Sequence, residues 1–295
     1  MTDPVPFTVI GGFLGAGKTT LLNRLLRDAG RRRFAVLVND FGALDIDGGL
    51  VAAHDGDTVA LANGCLCCTI GDSLVTTLLG LLERPERFDH IVVEASGVAD
   101  PGRIADLAVL EPRLVRDGVV VVVDAVDVRE RASDRRLRDT VMRQLQAADL
   151  LLLNKIDLAV DLAAVRCWIS MQTAAPLLES KHADVPLDLL FGLDRAGGSS
   201  DESSAEAFAS WSYEWSEPVE RDALLAMLRE ARGGVLRAKG IVRFADSADR
   251  RSVVHLVGGR LDVSDQGPWG DTAGSRLVML GLRPMLGSLP RETTT

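Results

Sequence analysis

Residues 12–19 read Gly-Phe-Leu-Gly-Ala-Gly-Lys-Thr and directly follow the apolar run Phe7–Ile10. This is the G-x-x-x-x-G-K-T spacing, set where a strand should give way to a helix. Glycines at these intervals let backbone N–H groups curl around an anion without Cβ clashes. Lys18 can reach the β- and γ-phosphates, and Thr19 can offer its hydroxyl to Mg²⁺. The helix that follows turns its positive end toward the same anion. Gly12, Gly15, Ala16, Gly17, Lys18, Thr19 and Thr20 are therefore the expected phosphate-binding residues, for a nucleoside di- or triphosphate. A plain Gly-rich turn would not need the Lys-Thr pair, and neither would a dinucleotide-binding loop. From Thr20 to Asp28, Leu21, Leu22, Leu25 and Leu26 make one apolar helical face, and Arg27 and Gly30 supply a stop.

Strand and helix signals alternate through the first 160 residues. Phe34–Val38, Thr58–Leu61, Ile91–Val93, Val119–Val123 and Leu150–Leu153 read as strands. The valine run is what a strand buried on both faces looks like. Helices are expected from Asp72 to Leu82, from Asp100-Pro101, and from Ser133 through Ala148. Alternation of this kind implies an α/β fold, a mainly parallel sheet with helices on both faces. Ligands collect at the carboxyl ends of such strands, where Asn39, Glu94, Asp124 and Asn154 all lie.

Arg195 to Glu206 is polar and rich in Gly and Ser, which reads as a flexible linker. Beyond it, Arg221–Arg232 is an amphipathic helix, and Val235–Phe244, Val253–Val257 and Leu277–Leu280 read as strands. The expected layout is a first domain over 1–195, a linker over 196–209 and a smaller α+β domain over 210–295. Trp211, Tyr213 and Trp215 alternate at period two, as on a strand face.

Apolar residues make up 47% of the 295, enough for a sizeable core, and the net charge of −9 argues against a nucleic-acid surface. No stretch approaches the length of a membrane span, and Met1 to Phe7 lacks an export pattern. A cytoplasmic location is expected, and with it no structural disulfides.

Asn154-Lys155-Ile156-Asp157 follows a buried strand. Asp157 can accept from the ring N–H and exocyclic amine of guanine, a donor pair adenine does not offer. Asn154 can hydrogen-bond the base, and the stem of Lys155 can cover its face. Glu94-Ala-Ser-Gly97 closes another strand. An acidic residue there can orient Mg²⁺ or its water, so Lys18, Thr19 and Glu94 form the expected catalytic set. Gly97 lets backbone approach a γ-phosphate and move when it leaves.

Gly64-Cys65-Leu66-Cys67-Cys68 gathers three of the four cysteines. Three thiolates would hold Zn²⁺, Cu(I) or Co²⁺ and leave a position for an outside ligand, which suits transfer. In an extended chain Cys68 faces away from Cys65 and Cys67, so one ion needs a bend, which Asn63-Gly64 can supply. Two other readings stay open: small buried hydrophobes, or a Cys65–Cys68 redox pair. Cys167, on a helix beside Trp168, is expected in the core, and His54, His90, His182 and His255 form no cluster.

Taken together, GGFLGAGKTTLLNRLL at 11–26, NDFGALDID at 39–47, NGCLCC at 63–68, EASGVADP at 94–101 and NKID at 154–157 resemble the CobW-like family of P-loop GTPases. Trp211–Trp215 and Leu236-Arg-Ala-Lys-Gly240 resemble that family's C-terminal domain. The resemblance implies a SIMIBI-class GTPase domain, a CobW-type C-terminal domain, and metal handling in which Zn²⁺ or Co²⁺ is delivered to client proteins or cofactor pathways. It implies GTP and Mg²⁺ bound by the phosphate loop and Thr19, guanine selected by Asn154, Lys155 and Asp157, and metal held by Cys65, Cys67 and Cys68. Asp40 is a further implied ligand of Mg²⁺ or Zn²⁺. The sequence departs from the family's N-E-F-G-E segment, reading Asn39-Asp40-Phe41-Gly42-Ala43. Ala43 thus removes one carboxylate, which Asp45 can replace. The expected partners are GTP and a metal-requiring client, with a homo-oligomer allowed and neither nucleic acid nor membrane included. A GTP-gated regulatory protein and a thiol-redox-switched GTPase are the alternatives.

Overall fold

A computed structural model describes residues 4–29, 32–38, 51–55, 58–61, 66–69, 74–191, 208–231, 234–257, 260–270 and 274–282. The chain divides into two compact units, Met1–Asp184 and Val185–Thr295.

The first unit is built on a nine-stranded sheet. Its strands are β1 (Val5–Gly11), β2 (Phe34–Val38), β3 (Val51–Asp55), β4 (Thr58–Leu61), β5 (Leu66–Thr69), β6 (His90–Glu94), β7 (Leu114–Asp124), β8 (Leu150–Asn154) and β9 (Leu177–Glu179). Their order is β3-β4-β5-β2-β6-β1-β7-β8-β9. All pairs from β5 to β9 are parallel, whereas β3–β4 and β4–β5 are antiparallel. Every residue of β2, β6 and β8 is buried, as an apolar strand covered on both faces must be. The helices are α1 (Lys18–Arg27), α2 (Leu74–Leu82), α3 (Pro101–Ala105), α4 (Leu107–Leu110), α5 (Val128–Ser133), α6 (Arg138–Ala147) and α7 (Leu162–Gln172). Asp100 caps α3 by accepting from the Gly102 N–H at 3.0 Å, and Pro101 opens its first turn.

The helix expected from Ser133 to Ala148 begins only at Arg138. Ser133 ends α5 rather than opening a helix, because the Asp134 carboxylate accepts from the Arg136 N–H at 2.8 Å. A short polar side chain that bonds its own backbone competes with helix continuation. Cys167 is exposed, not core. On α7 the buried residues are Val165 and Ile169, and Cys167 lies midway between them on the other side of the helix. Leu66–Thr69 is a strand of the sheet, and the bend expected at Asn63-Gly64 lies outside the described residues.

A buried polar link crosses the middle of the sheet. The one hydroxyl proton of Thr8 goes to Asp117 Oδ2 at 2.9 Å, so at 2.8 Å it is His90 Nε2 that donates to Thr8 Oγ1. All three residues are buried, Thr8 at the middle of β1 and His90 at the amino end of β6.

The second unit holds α8 (Leu187–Phe191), α9 (Arg221–Glu230) and strands β10 (Phe208–Trp215), β11 (Val235–Val242), β12 (Arg250–Val257), β13 (Arg260–Pro268) and β14 (Ser275–Leu282). They form an antiparallel sheet ordered β10-β14-β11-β12-β13. Leu224 and Leu228 of α9 pack on Val235, Val254, Leu256 and Met279. Among the described residues no helix is long and apolar enough to cross a membrane.

Candidate functional site

Loop 12–17 joins the carboxyl end of β1 to α1. Gly12, Gly15 and Gly17 have positive φ, at 130°, 80° and 111°. At Gly17 the reason is also contact: a Cβ there would sit 2.3 Å from Asn154 Nδ2. The turn is closed by Ala16 N–H donating to Phe13 O at 3.2 Å. α1 begins at Lys18 with no acidic residue in its first turn and no side-chain cap, so its leading N–H groups are available to an anion. Thr19 is half-buried and Thr20 exposed in that turn.

Lys18 is 6% exposed. Its ammonium donates to Phe13 O at 3.3 Å and lies 4.0 Å from Glu94 Oε1. Burial pushes its pKa below the usual 10.5; the Glu94 charge pulls it back up, and Arg131 pushes it down. Glu94 is the last residue of β6, paired in register with Ile10 of β1, which is how a residue so far along the chain meets the phosphate loop. Gly97 packs against the same loop: a Cβ on it would come 2.9 Å from the Leu14 N atom.

Asn154 joins two loops. Its Nδ2 donates to Ala16 O at 2.9 Å, while its Oδ1 accepts from Ser180 Oγ at 3.1 Å and Ala183 N–H at 2.8 Å. The carboxamide oxygen is thereby used, and the second Nδ2 hydrogen is what this side chain has to offer a base. Lys155 takes a left-handed φ of 60° and donates to Asp124 Oδ2 at 2.5 Å. Asp157 lies exposed just beyond it. His182 and Ala183 are also left-handed, with φ of 52° and 56°, in the loop that Asn154 holds.

Arg131 of α5 braces the phosphate loop from outside. Its guanidinium donates to Leu14 O at 2.9 Å, stacks 4.4 Å from the Phe13 ring centroid and pairs with Asp127. Burial raises the Asp127 pKa, the neighbouring Asp124 charge adds to that, and Arg131 opposes it.

A profile of the CobW/HypB/UreG nucleotide-binding domain matches residues 6–176, and one of the cobalamin synthesis protein cobW C-terminal domain matches residues 208–286. The chain belongs to the CobW family of P-loop GTPases. It is 33% identical over 342 aligned positions to the zinc chaperone CobW of a Sinorhizobium species, covering 99% of this chain and 96% of that protein. With the zinc chaperone YjiA of Escherichia coli it shares 31% over 317 positions, 98% of this chain and 96% of the relative. The crystal structure of the Zn(II)-bound YjiA GTPase superimposes with a TM-score of 0.55 at 27% identity, over 98% of this chain and all of that one (100%).

In this CobW-family chain the expected phosphate residues, Glu94, Gly97 and Asn154 adjoin one another around loop 12–17. Asp40, Ala43 and Cys65 lie outside the described residues, and Cys67 and Cys68 are described by backbone alone. Cys67 and Cys68 pair with Val36 and Leu37 of β2. Sequence reasoning missed Ser180 and Ala183, which follow the three-residue strand β9, and missed Arg131 and Gln144, which act through tertiary contact alone.

Proposed function

We propose that the chain is a GTP-hydrolysing chaperone that carries Zn²⁺ or Co²⁺ on Cys65, Cys67 and Cys68 and passes it to a metal-requiring client. The observation that carries this reading is strand adjacency. β5, with Cys67 and Cys68, pairs with β2, and β2 pairs with β6, which ends at Glu94. A cargo loop two strands from Glu94 can feel a change at that strand's end. The relatives named zinc chaperones, similar over their full length, support the metal reading.

In this reading GTP binding orders residues 39–47 and 94–100 around the γ-phosphate. Lys18 leaves Phe13 O and Glu94 for the phosphate oxygens. Asp157 reads the donor edge of guanine, and Asn154 donates its second Nδ2 hydrogen to the base. Thr19 and Glu94 are oxygen donors of the hard kind Mg²⁺ prefers, with Asp40 as a third. That ion, when bound, neutralises charge on the phosphates. The linkage is reciprocal, so whatever factor GTP adds to metal affinity, metal adds to GTP affinity. A cytoplasmic setting, where thiols stay reduced, agrees with a thiolate cargo site.

Zn²⁺ affinity, measured by chelator competition with GDP and with a non-hydrolysable GTP analogue, tests the reading. The expected difference is about 5–150-fold, the usual range of allosteric coupling. Cys67→Ser should abolish tight binding in both states. Equal affinities in the two nucleotide states would end the delivery mechanism, and an unchanged Cys67→Ser variant would remove the thiol site. A Cys65–Cys68 disulfide in protein isolated under cellular redox poise would favour the redox-switched alternative.

A further inference from the structure

We propose that Gln144 is the positioning residue of the loop that senses the γ-phosphate. Gln144 sits on α6 with 3% of its surface exposed. Its two neighbours in the core-facing stripe, Val141 and Leu145, are apolar, and an apolar residue would fill the same space. Its amide instead forks. Nε2 donates to Gly97 O at 3.1 Å and to Ala99 O at 3.2 Å. One NH₂ group has two hydrogens, so the loop takes both.

The loop is fixed on its other side as well. Ala95 N–H donates to Ile10 O at 2.9 Å, and the backbone of Gly97 lies so close to Leu14 that a Cβ would meet its N atom at 2.9 Å. Residue 97 is therefore held between the phosphate loop and Gln144. Inside the loop, Ala99 N–H turns back to Ser96 O at 3.0 Å, which ties the two carbonyls Gln144 holds into one small unit. The grip is made by a neutral donor on backbone oxygens, so it sets position without altering the charge that phosphates meet. A loop gripped at one edge moves as a rigid flap, and the grip decides where its Gly97 peptide rests relative to Leu14. This proposal rests on the reading of residues 94–100 as a γ-phosphate sensor.

Gln144→Met keeps the volume and removes both donors. The expected result is a split: affinity for a non-hydrolysable GTP analogue and kcat for GTP each fall about tenfold (about 1.4 kcal/mol), while GDP affinity stays within about twofold. Gln144→Leu, which also removes both donors and adds no charge, should show the same split and serves if the Met variant does not accumulate. A purely structural glutamine would weaken GDP and GTP-analogue binding alike, and that outcome, or no change in either, overturns the proposal. Gly97→Ala, measured beside them, separates the two layers. If Gly97→Ala shifts the analogue-to-GDP ratio and the Gln144 variants do not, Gln144 has no positioning role. If none of them shifts it, the loop is not a γ-phosphate sensor.

Discussion

Asn154→Ala removes three hydrogen bonds that join two loops at one buried point: to Ala16 O in the phosphate loop, and from Ser180 Oγ and Ala183 N–H in the base loop. Ser180 can rotate its hydroxyl to another acceptor. Ala16 O and Ala183 N–H cannot move so easily, because they belong to residues 1% and 0% exposed. Each of these two buried backbone groups left without its partner costs about 1–3 kcal/mol, so the variant should lose roughly 2–6 kcal/mol. For a unit of this size 1 kcal/mol shifts Tm by roughly 2–4 °C, which places the expected fall at roughly 4–24 °C. Nucleotide affinity should drop with it. The phosphate loop is no longer fixed relative to the base loop, and GDP and GTP should both weaken by about tenfold or more, near 1.4 kcal/mol. Asn154→Asp separates the two arms: the carboxylate still accepts from Ser180 and Ala183 but now faces Ala16 O with an oxygen. It should lose GDP affinity while keeping more of the stability. Thermal unfolding with and without GDP, followed by calorimetric titration, makes both measurements. An alanine variant that melts within about 2 °C of the parent, less than 1 kcal/mol, would refute the bonding account. One that is destabilised but binds GDP normally would refute the idea that the link between loops supports binding.

Lys18 gives a pH dependence. Its folded pKa lies below 10.5, so between that lowered value and 10.5 the unfolded chain carries the extra proton and stability of the free protein rises with pH. Phosphates favour the charged ammonium, so GDP binding should take up a proton in that window and weaken as pH rises; calorimetry in buffers of different ionisation enthalpy reads the uptake, and a flat affinity would contradict it. Thr8→Val should cost about 1–3 kcal/mol, since Asp117 loses a donor and His90 an acceptor in the core. GTP turnover of the folded variant should match the parent, because the link leads from Thr8 in the middle of β1 to His90 at the amino end of β6, away from loop 12–17; slower turnover at equal stability would show that the link reaches the site.

What could be read from the sequence is what is local. The phosphate loop is a run of residue types at fixed spacing, and Val119–Val123 and Leu150–Leu153 advertise burial on both faces by having no polar position. β13 was invisible for the opposite reason. As an edge strand it carries Asp262, Ser264, Asp265 and Gln266, and a polar edge resembles a loop. The late start of α6 turns on one aspartate side chain, and β9 is too short to show a period. The residues that organise the site were harder still, because Gln144 and Asn154 read as an ordinary helical glutamine and a single base-contact asparagine. Their partners are backbone carbonyls 45–47 and 138 positions away, and a carbonyl leaves no mark in a sequence.

The choice of amides at both places has a physical reason. Among the described residues Arg131 with Asp127 and Lys155 with Asp124 are close pairs, whose fields largely cancel at a distance. Lys18 and Glu94 stand further apart, at 4.0 Å, so their charges stay the more available to a ligand. A lysine at position 144 would put a net positive charge beside the sensor loop and attract phosphate whether or not the nucleotide carries its third group. An arginine at 154 would do the same beneath Ala16. Neutral amides can hold carbonyl oxygens firmly and leave the discrimination between GTP and GDP to Lys18, Glu94 and the backbone of Gly97. On that argument Gln144→Lys should tighten GDP and the GTP analogue together, so that affinity is drawn from charge rather than from where the Gly97 peptide rests; tightening of neither would contradict it.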